Sequence, residues 1–210
     1  MHSDPDATFD REIHIDAEGI APSVSWGINP EQTIGIDGII PKPQGNTEHA
    51  DYMRKALAYM DLTPGQTLAG TPIDAVFIGS CTNSRLSDLR AVAEFLKDKK
   101  VAPGIAAVCV PGSTQVKNAA EAEGIHHILQ AAGFEWRESG CSMCFYAGGE
   151  TFGAGKRVLS TTNRNFENRQ GPGVKTHIAS PLTVAVSAVN GVISDPRMTS
   201  ILPSLKEHTR

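Results

Sequence analysis

The fold class is decided by the stretch DAVFIGSCTNSRLSDLRAVAEFLKDKKVAPGIAAVCVPG, residues 74–112. Its first part, residues 74–80, is an apolar run typical of a buried strand, and residues 86–97 place apolar side chains at helical spacing. A second strand pattern follows at residues 106–112, and a helical pattern covers residues 115–132. Strands that alternate with helices of this length predict an α/β fold with a mostly parallel sheet and crossover helices.

Shorter elements precede this stretch. Residues 9–15 alternate apolar and polar side chains, and a second extended piece lies around residues 34–40. Residues 48–60 carry apolar side chains at helical spacing and end before Thr63, which opens a Thr-Pro-Gly stop signal. We therefore expect residues 1–62 to form a lead-in segment that packs on the main domain.

The main domain is expected to span residues 63–210, and its last third differs from the rest. A glycine-rich loop at residues 140–157 leads into a strand at 157–163, and a second long loop follows at 165–177. An apolar helix is predicted from residue 181 to residue 192. Long loops between regular elements are usually functional, so these two loops are the first place to look for a site.

Composition excludes several classes of protein. The formal net charge is −4 and there is no lysine- or arginine-rich block, so we expect no nucleic-acid partner. No apolar run approaches the length of a membrane span and the first residues are acidic and polar, which predicts no membrane association and a cytoplasmic location. Four cysteines in 210 residues are too few and too unevenly placed for a secreted disulfide framework. Metal or redox cysteines in a reduced compartment are favoured.

The cysteines fall into three settings. Cys81 follows a buried strand and precedes a helix, the position where open α/β sheets bind ligands. Cys141 and Cys144 form a C-x-x-C in a glycine-flanked loop, a spacing that suits a redox dithiol, zinc or an iron–sulfur centre. Cys109 lies inside an apolar strand and is interpreted as a small buried hydrophobic residue. Three cysteines remain for a site.

That odd number bears on the kind of site. Structural zinc normally has four protein ligands, whereas a cubane cluster held by three thiolates leaves one iron open to substrate as a Lewis acid. The cysteine count therefore favours the open cluster over zinc.

Hydrogen-bond donors are concentrated at the end of the strand predicted at residues 157–163 and in the first part of the loop that follows it. Asn163, Arg164, Asn165 and Arg169 lie within seven residues of each other. Guanidinium groups pair with carboxylates at two points and stay charged at any working pH, so the loop suits an acid with several carboxylates. The alternative is that the arginines are surface charges or structural ion pairs. The functional interpretation depends on the cysteines.

Three segments resemble the cluster-binding domain of the aconitase superfamily. They are IGSCTNSRLSDLR (residues 78–90), SGCSMC (139–144) and STTNRNFENRQGPGVKTHIASP (160–181). In order and spacing they most resemble the large subunits of isopropylmalate isomerases, and the opening SDPDATFD (3–10) extends the similarity over nearly the whole chain. The resemblance implies a three-layer α/β/α domain with a mostly parallel sheet.

The resemblance also implies roles for individual residues. A [4Fe-4S] cluster would have Cys81, Cys141 and Cys144 as its ligands and Asn163 beside it. Arg164 and Arg169 would bind the substrate carboxylates. No acid or base catalyst is assigned in this chain.

The activity that the resemblance implies is a hydro-lyase that isomerises a hydroxy di- or tricarboxylic acid by dehydration and rehydration. The expected reaction interconverts 3-isopropylmalate and 2-isopropylmalate in leucine biosynthesis, although the continuation FYAGGETFGAGKR (145–157) departs from the family and leaves homocitrate and citrate open. The chain resembles the second half of a large subunit, so we expect it to need N-terminal catalytic domains and a small, swivelling-domain subunit. The alternative is a non-catalytic cluster-binding or remnant module.

Overall fold

A computed structural model describes residues 3–79, 82–146 and 149–198 of the chain. Its centre is a sheet of five parallel strands in the order β5-β4-β3-β6-β7. The strands are β3 (Ala75–Ile78), β4 (Ala106–Cys109), β5 (Glu135–Trp136), β6 (Arg157–Ser160) and β7 (Lys175–Ile178). A separate antiparallel pair consists of β1 (Ser23–Ser25) and β2 (Thr33–Gly35). The helices are α1 (Glu48–Met60), α2 (Leu86–Leu96), α3 (Thr114–Ala122), α4 (Ile125–Ala132) and α5 (Pro181–Asn190).

The central strands are buried on both faces. Along β3, Val76 and Ile78 join the hydrophobic cluster to which all five helices contribute, while Ala75 and Phe77 point to the opposite face. Successive side chains of a strand alternate between faces, which explains why a fully buried strand is an unbroken apolar run. The predicted α/β fold with a mostly parallel sheet is confirmed.

The two faces are covered by different kinds of structure. From β3 to β5 the chain moves outward in one direction through helices, and then returns to β6 on the other side of β3. Crossovers between parallel strands are right-handed. Because the strands after β5 are added in the opposite direction along the sheet, the connections that lead to β6 and β7 lie on the opposite face. That second face is covered by Met143, Cys144, Phe152 and Val174, which belong to the two long loops. The loops are therefore packed against the sheet.

Helix ends follow local signals. The Thr47 side chain accepts a hydrogen bond from the backbone N of Ala50 at the start of α1, and Asp61 ends this helix at φ 50°. Gly124, at φ 72°, separates α3 from α4, so the helical pattern predicted for residues 115–132 forms two helices. The longest described helix has 13 residues, and no helix in the described ranges is long and apolar enough to cross a membrane.

The lead-in segment docks on the edge of the central sheet. His177 Nδ1 donates to the carbonyl oxygen of Ser25 at 2.6 Å, and the Ile178 backbone N donates to Ser25 Oγ at 2.7 Å. The extended piece expected at residues 9–15 forms no strand in the described part of the chain, and its apolar side chains are exposed. A strand needs a neighbour to satisfy its backbone, and residues 9–15 have none there. The division of the chain at residue 62 stays a prediction.

Candidate functional site

The predicted site residues that the structure describes line one cavity. Its volume is about 310 Å³, and it is lined by Cys141, Cys144, Phe145, Asn163, Arg164 and Arg169. The cysteines come from the loop after β5 and the others mainly from the loop after β6, so the cavity lies beyond the carboxyl ends of the strands. Ligand sites of open parallel sheets lie at this edge.

The third predicted cluster ligand, Cys81, lies outside the described residues. On one side of it, the Gly79 backbone N donates to Thr161 Oγ1 at 2.8 Å, and that hydroxyl donates back to the Gly79 carbonyl at 2.8 Å. On the other side, Asn83 Nδ2 donates to the Thr161 carbonyl at 2.5 Å. Gly79 and Asn83 lie on either side of Cys81 in the sequence, and both are hydrogen-bonded to Thr161. Thr161 is two positions before Asn163 in the sequence.

The C-x-x-C forms a short turn of 3-10 helix, Ser142–Cys144. The Cys144 backbone N donates to the Cys141 carbonyl at 2.8 Å, and Met143 is buried against the second face of the sheet. Gln170 Nε2 holds the turn from the other loop by donating to the Met143 carbonyl at 2.8 Å. Cys141 is exposed, Cys144 is buried, and both are free thiols. Within the described ranges, no three Cys, His, Asp or Glu side chains are grouped as metal ligands.

The two arginines have different surroundings. Arg169 is buried, and its Nε donates to the Cys144 carbonyl at 2.7 Å while Nη2 donates to Cys144 Sγ at 3.3 Å. Its guanidinium lies 5.1 Å from the Phe166 ring and 5.7 Å from the Phe145 ring, at cation–π distance. Arg164 is exposed and makes no hydrogen bond or ion pair with the described residues. Among the described residues that line the cavity, Arg164 is thus the guanidinium without a hydrogen-bond partner.

The two asparagines of the same loop also separate into different roles. Asn163 is exposed and lines the cavity. Asn165 is buried, and its Nδ2 donates to the Gly27 carbonyl at 2.5 Å and to Ser25 Oγ at 3.2 Å. The amide of Asn165 therefore fastens the loop to the lead-in segment and does not face the cavity.

Cys109 and His177 are both core residues. Burial raises the pKa of the Cys109 thiol, and its side chain is fully enclosed in the helix-side core, which confirms the interpretation as a buried hydrophobic residue. Burial, with the nearby charge of Arg157, lowers the pKa of His177 from 6.5 to about 3. His177 is neutral, with Nε2 accepting from Arg157 Nη1 at 2.9 Å, and it joins β7 to β1 at Ser25.

Sequence reasoning missed a hydrogen-bonded set at the cysteine turn, formed by Arg137, Ser142 and Glu150. Arg137 Nη1 donates to Ser142 Oγ at 3.0 Å and to Glu150 Oε1, and Ser142 Oγ donates to Glu150 Oε2 at 3.2 Å. Ser142 adopts φ 40°, in the left-handed region. No spacing pattern singles these residues out, because the two-residue strand β5 before Arg137 is too short to be predicted.

The arrangement suits an anion and a thiolate-bound metal centre. Two guanidinium groups favour carboxylates, and they also offset the negative charge of thiolates that bind iron. In the part of the chain that the structure describes, no carboxylate or imidazole lines the cavity. These residues can bind and orient a substrate, but they do not provide an acid–base pair there.

Comparison with known proteins identifies the family of the chain. The sequence matches the Aconitase family (aconitate hydratase) over residues 1–191. It is 59% identical over 201 residues to the 3-isopropylmalate dehydratase large subunit of Cupriavidus necator, covering 94% of this chain and 74% of that protein. It is 54% identical over 202 residues to the 3-isopropylmalate dehydratase large subunit 1 of Bradyrhizobium diazoefficiens, and 51% identical over 199 residues to the large subunit of Roseiflexus castenholzii. These two matches cover 94% of this chain but 42% of each relative. The matched family and the level of identity show that the chain belongs to the aconitase family.

Proposed function

We propose that the chain is the iron–sulfur-binding part of a hydro-lyase that isomerises a hydroxy di- or tricarboxylic acid by dehydration and rehydration. The proposed reaction interconverts 3-isopropylmalate and 2-isopropylmalate in leucine biosynthesis, in line with the names of the relatives. The observation that carries the proposal is the cavity in which two thiols and two guanidinium groups meet. Family membership supports the reaction class.

The donor set fits a [4Fe-4S] cluster with Cys81, Cys141 and Cys144 as ligands and Asn163 beside it. Cys141 and Cys144 are free thiols that line the same cavity, which is what shared ligation requires. The Arg169 guanidinium donates to Cys144 Sγ at 3.3 Å, so its positive charge would lie beside a sulfur that binds iron. When bound, such a cluster supplies an iron without a protein thiolate, which polarises the substrate hydroxyl as a Lewis acid.

The two arginines would hold the substrate carboxylates in complementary ways. Arg164, with no partner among the described residues, can offer its planar edge to a carboxylate at two points. Arg169 uses Nε and Nη2 on Cys144, which leaves Nη1 without a hydrogen bond to the described residues. We therefore expect Arg169 to donate one hydrogen bond to the substrate while it also orients Cys144. Phe145 also lines the cavity, and its ring lies 5.7 Å from the Arg169 guanidinium.

The acid–base groups would come from partner polypeptides. The relatives are large subunits, a name that implies a small subunit, and the chain spans about two-fifths of the length of two of them. We propose a small, swivelling-domain subunit and N-terminal catalytic domains as the partners, and no turnover by the chain alone. The described cavity is consistent with this division because it is lined by no carboxylate or imidazole.

The first experiment is anaerobic reconstitution of the chain with iron and sulfide. We expect absorption near ~400 nm and about four irons per chain, because thiolate-to-iron charge transfer is intrinsic to such clusters. Cys81→Ser, Cys141→Ser and Cys144→Ser should each lower the iron content. Cys109→Ser is the matched control, since this thiol is enclosed in the core and should not affect iron. Unchanged iron in all three ligand variants would refute the cluster assignment.

The second experiment addresses the substrate. The chain is combined with the catalytic domains and small subunit of a relative, and kcat/KM is measured for 3-isopropylmalate, citrate and homocitrate. We expect the highest value for 3-isopropylmalate. A higher kcat/KM for citrate or homocitrate would support the hydro-lyase activity but assign a different substrate to it.

A further inference from the structure

Arg137 contacts the cysteine turn although it is not one of the proposed ligands. It directly follows β5, and its backbone N donates to the Cys109 carbonyl at 3.0 Å, which fixes it to the neighbouring strand β4. Its Nε and Nη2 donate to the two carboxylate oxygens of Glu135 at 2.9 and 3.0 Å. The side chain is only 23% exposed. The guanidinium is therefore held from the sheet side.

The remaining nitrogen of this guanidinium points at the turn. Nη1 donates to Ser142 Oγ at 3.0 Å and to Glu150 Oε1, and Ser142 Oγ donates to the other oxygen of Glu150 at 3.2 Å. Arg137, Ser142 and Glu150 thus form a closed set of three mutual hydrogen bonds, which we call the serine clamp. It connects the residue that follows β5 to Ser142, inside the C-x-x-C, and to Glu150, beyond it.

The clamp acts on a residue with an unfavourable backbone conformation. Ser142 lies between the two cysteines and has φ 40°, in a region that residues other than glycine rarely adopt. Such a conformation persists only where neighbouring contacts hold it in place. Rotation at Ser142 changes the relative direction of Cys141 and Cys144, so a contact that fixes Ser142 also fixes the two sulfurs.

We infer that the serine clamp is a positioning device for the iron–sulfur ligands: it keeps the turn in the shape that presents both sulfurs to the cavity, and it slows the loss of iron. The part that concerns iron rests on the proposed function. The part that concerns the shape of the turn rests only on the contacts of Arg137 and Ser142, and can be tested without a cluster. Arg137 acts through Ser142 and is a positioning residue.

The variants are Arg137→Gln, which removes the charge and the fork, and Ser142→Ala, which removes only the hydroxyl. Arg90→Gln is the matched control, because Arg90 makes the same two-point pair with Glu123, at 2.8 and 2.6 Å, on the helix side of the sheet. A general effect of losing an arginine–glutamate pair would appear equally in this control.

The first readout is the alkylation rate of each thiol in the cluster-free chain, followed by peptide mass spectrometry. Cys144 is 7% exposed, so its alkylation requires the turn to open, whereas Cys109 is fully buried and reports unfolding of the whole core. We expect alkylation of Cys144 to be at least ~5-fold faster in both clamp variants, with Cys109 unchanged, because the opening is local. The Arg90→Gln chain should behave like the wild type.

The second readout is the rate at which a chelator removes iron from the reconstituted chain without oxygen. We expect removal to be at least ~5-fold faster in both clamp variants than in the wild type and in Arg90→Gln, again because local opening limits it. If Cys144 in the clamp variants is alkylated at the same rate as in the Arg90→Gln control, the clamp is overturned. If Cys109 is alkylated faster to the same degree, the variants lower the stability of the whole fold, and the clamp is overturned as a local device. Faster alkylation without faster iron loss would overturn its link to the cluster. A wild-type chain that holds no iron would refute the proposed function, while the alkylation result would still decide the clamp.

Discussion

The guanidinium group of Arg169 donates to the carbonyl oxygen of Cys144 at 2.7 Å and to the sulfur of the same residue at 3.3 Å. A proposed substrate-binding residue is thus bonded directly to a proposed cluster ligand. Arg164, in the same cavity, has no such bond among the described residues. Replacing the two arginines should therefore have different consequences.

We expect Arg164→Lys in the assembled enzyme to lower kcat/KM at least ~10-fold, because a lost charge-assisted hydrogen bond is worth about 1.5–3 kcal/mol. Its iron content should not change. Arg169→Lys should lower kcat/KM and also speed the loss of iron, since lysine cannot contact the carbonyl and the sulfur of Cys144 together. Steady-state kinetics and iron analysis on the same preparations separate the two effects.

The matched control for these arginines is Arg54→Lys, which changes an exposed arginine paired with Asp51 on α1. Both measured quantities should stay at wild-type values. Full activity in both Arg164→Lys and Arg169→Lys would remove these residues from the substrate site and leave only the cysteine part of the assignment.

Air should damage the proposed cluster selectively. With three cysteine ligands, one iron has no protein thiolate, and that iron is the one most easily lost on oxidation. We expect the iron count to fall by about one per chain during aerobic incubation, with a change in the electron paramagnetic resonance spectrum. A full iron count and an unaltered spectrum after prolonged exposure would indicate a fourth protein ligand.

Tyr59 fastens the arginine loop to α1. Its hydroxyl donates to the Val174 carbonyl at 2.8 Å and accepts from the Asn168 backbone N at 2.8 Å. Tyr59→Phe should lower the free energy of unfolding by about 1–2 kcal/mol, because both backbone groups lose a partner. Tyr52→Phe is the control, since within the described ranges the hydroxyl of this exposed residue makes only a 3.4 Å contact with Asn29. Equal urea midpoints for the two variants would contradict the role of Tyr59.

The free energy of unfolding should decrease as the pH is lowered, because of His177. Its pKa is lowered to about 3 in the folded chain, by burial and by Arg157, whereas the unfolded chain binds the proton near 6.5. In this window the unfolded state binds more protons, so acidification weakens folding, by about 2 kcal/mol between about pH 7 and about pH 5. His177→Asn keeps a donor for Ser25 and removes the titration. Its free energy of unfolding should change less over that range, and an identical pH dependence in both proteins would exclude His177 as the cause.

The regular elements that the sequence predicts are those with local signals. α1 has the predicted bounds because its apolar spacing and its capping residue Thr47 agree. β3, β4 and β6 were predicted from apolar runs, whereas the two-residue β5 is too short to leave a pattern. β7 was missed because Lys175, Thr176 and His177 are polar. His177 is buried there only because Ser25, 152 residues away, accepts its hydrogen bond.

Most of the residues that line the cavity could be predicted from the sequence, but the hydrogen bonds between them could not. The described cysteines and arginines singled out from the sequence do line one cavity, although their roles as ligands stay predictions. The bonds from Arg169 to Cys144 depend on how the two loops fold over the sheet. The clamp at Arg137 depends on the backbone conformation of Ser142. Neither relationship has a signature in residue spacing.

The docking of Ser25 on β7 also sets the order in which the chain becomes a folded protein. The two partners are 152 residues apart, and synthesis at ~5–20 residues per second separates their emergence from the ribosome by roughly 8–30 s. During that interval Val24 and Trp26, which are buried in the finished fold, have no strand β7 beside them. The segment that contains Ser25 is made before β7, and that side of it is covered only when β7 has been made. We therefore expect its apolar side chains to be a site of chaperone binding and of aggregation during synthesis.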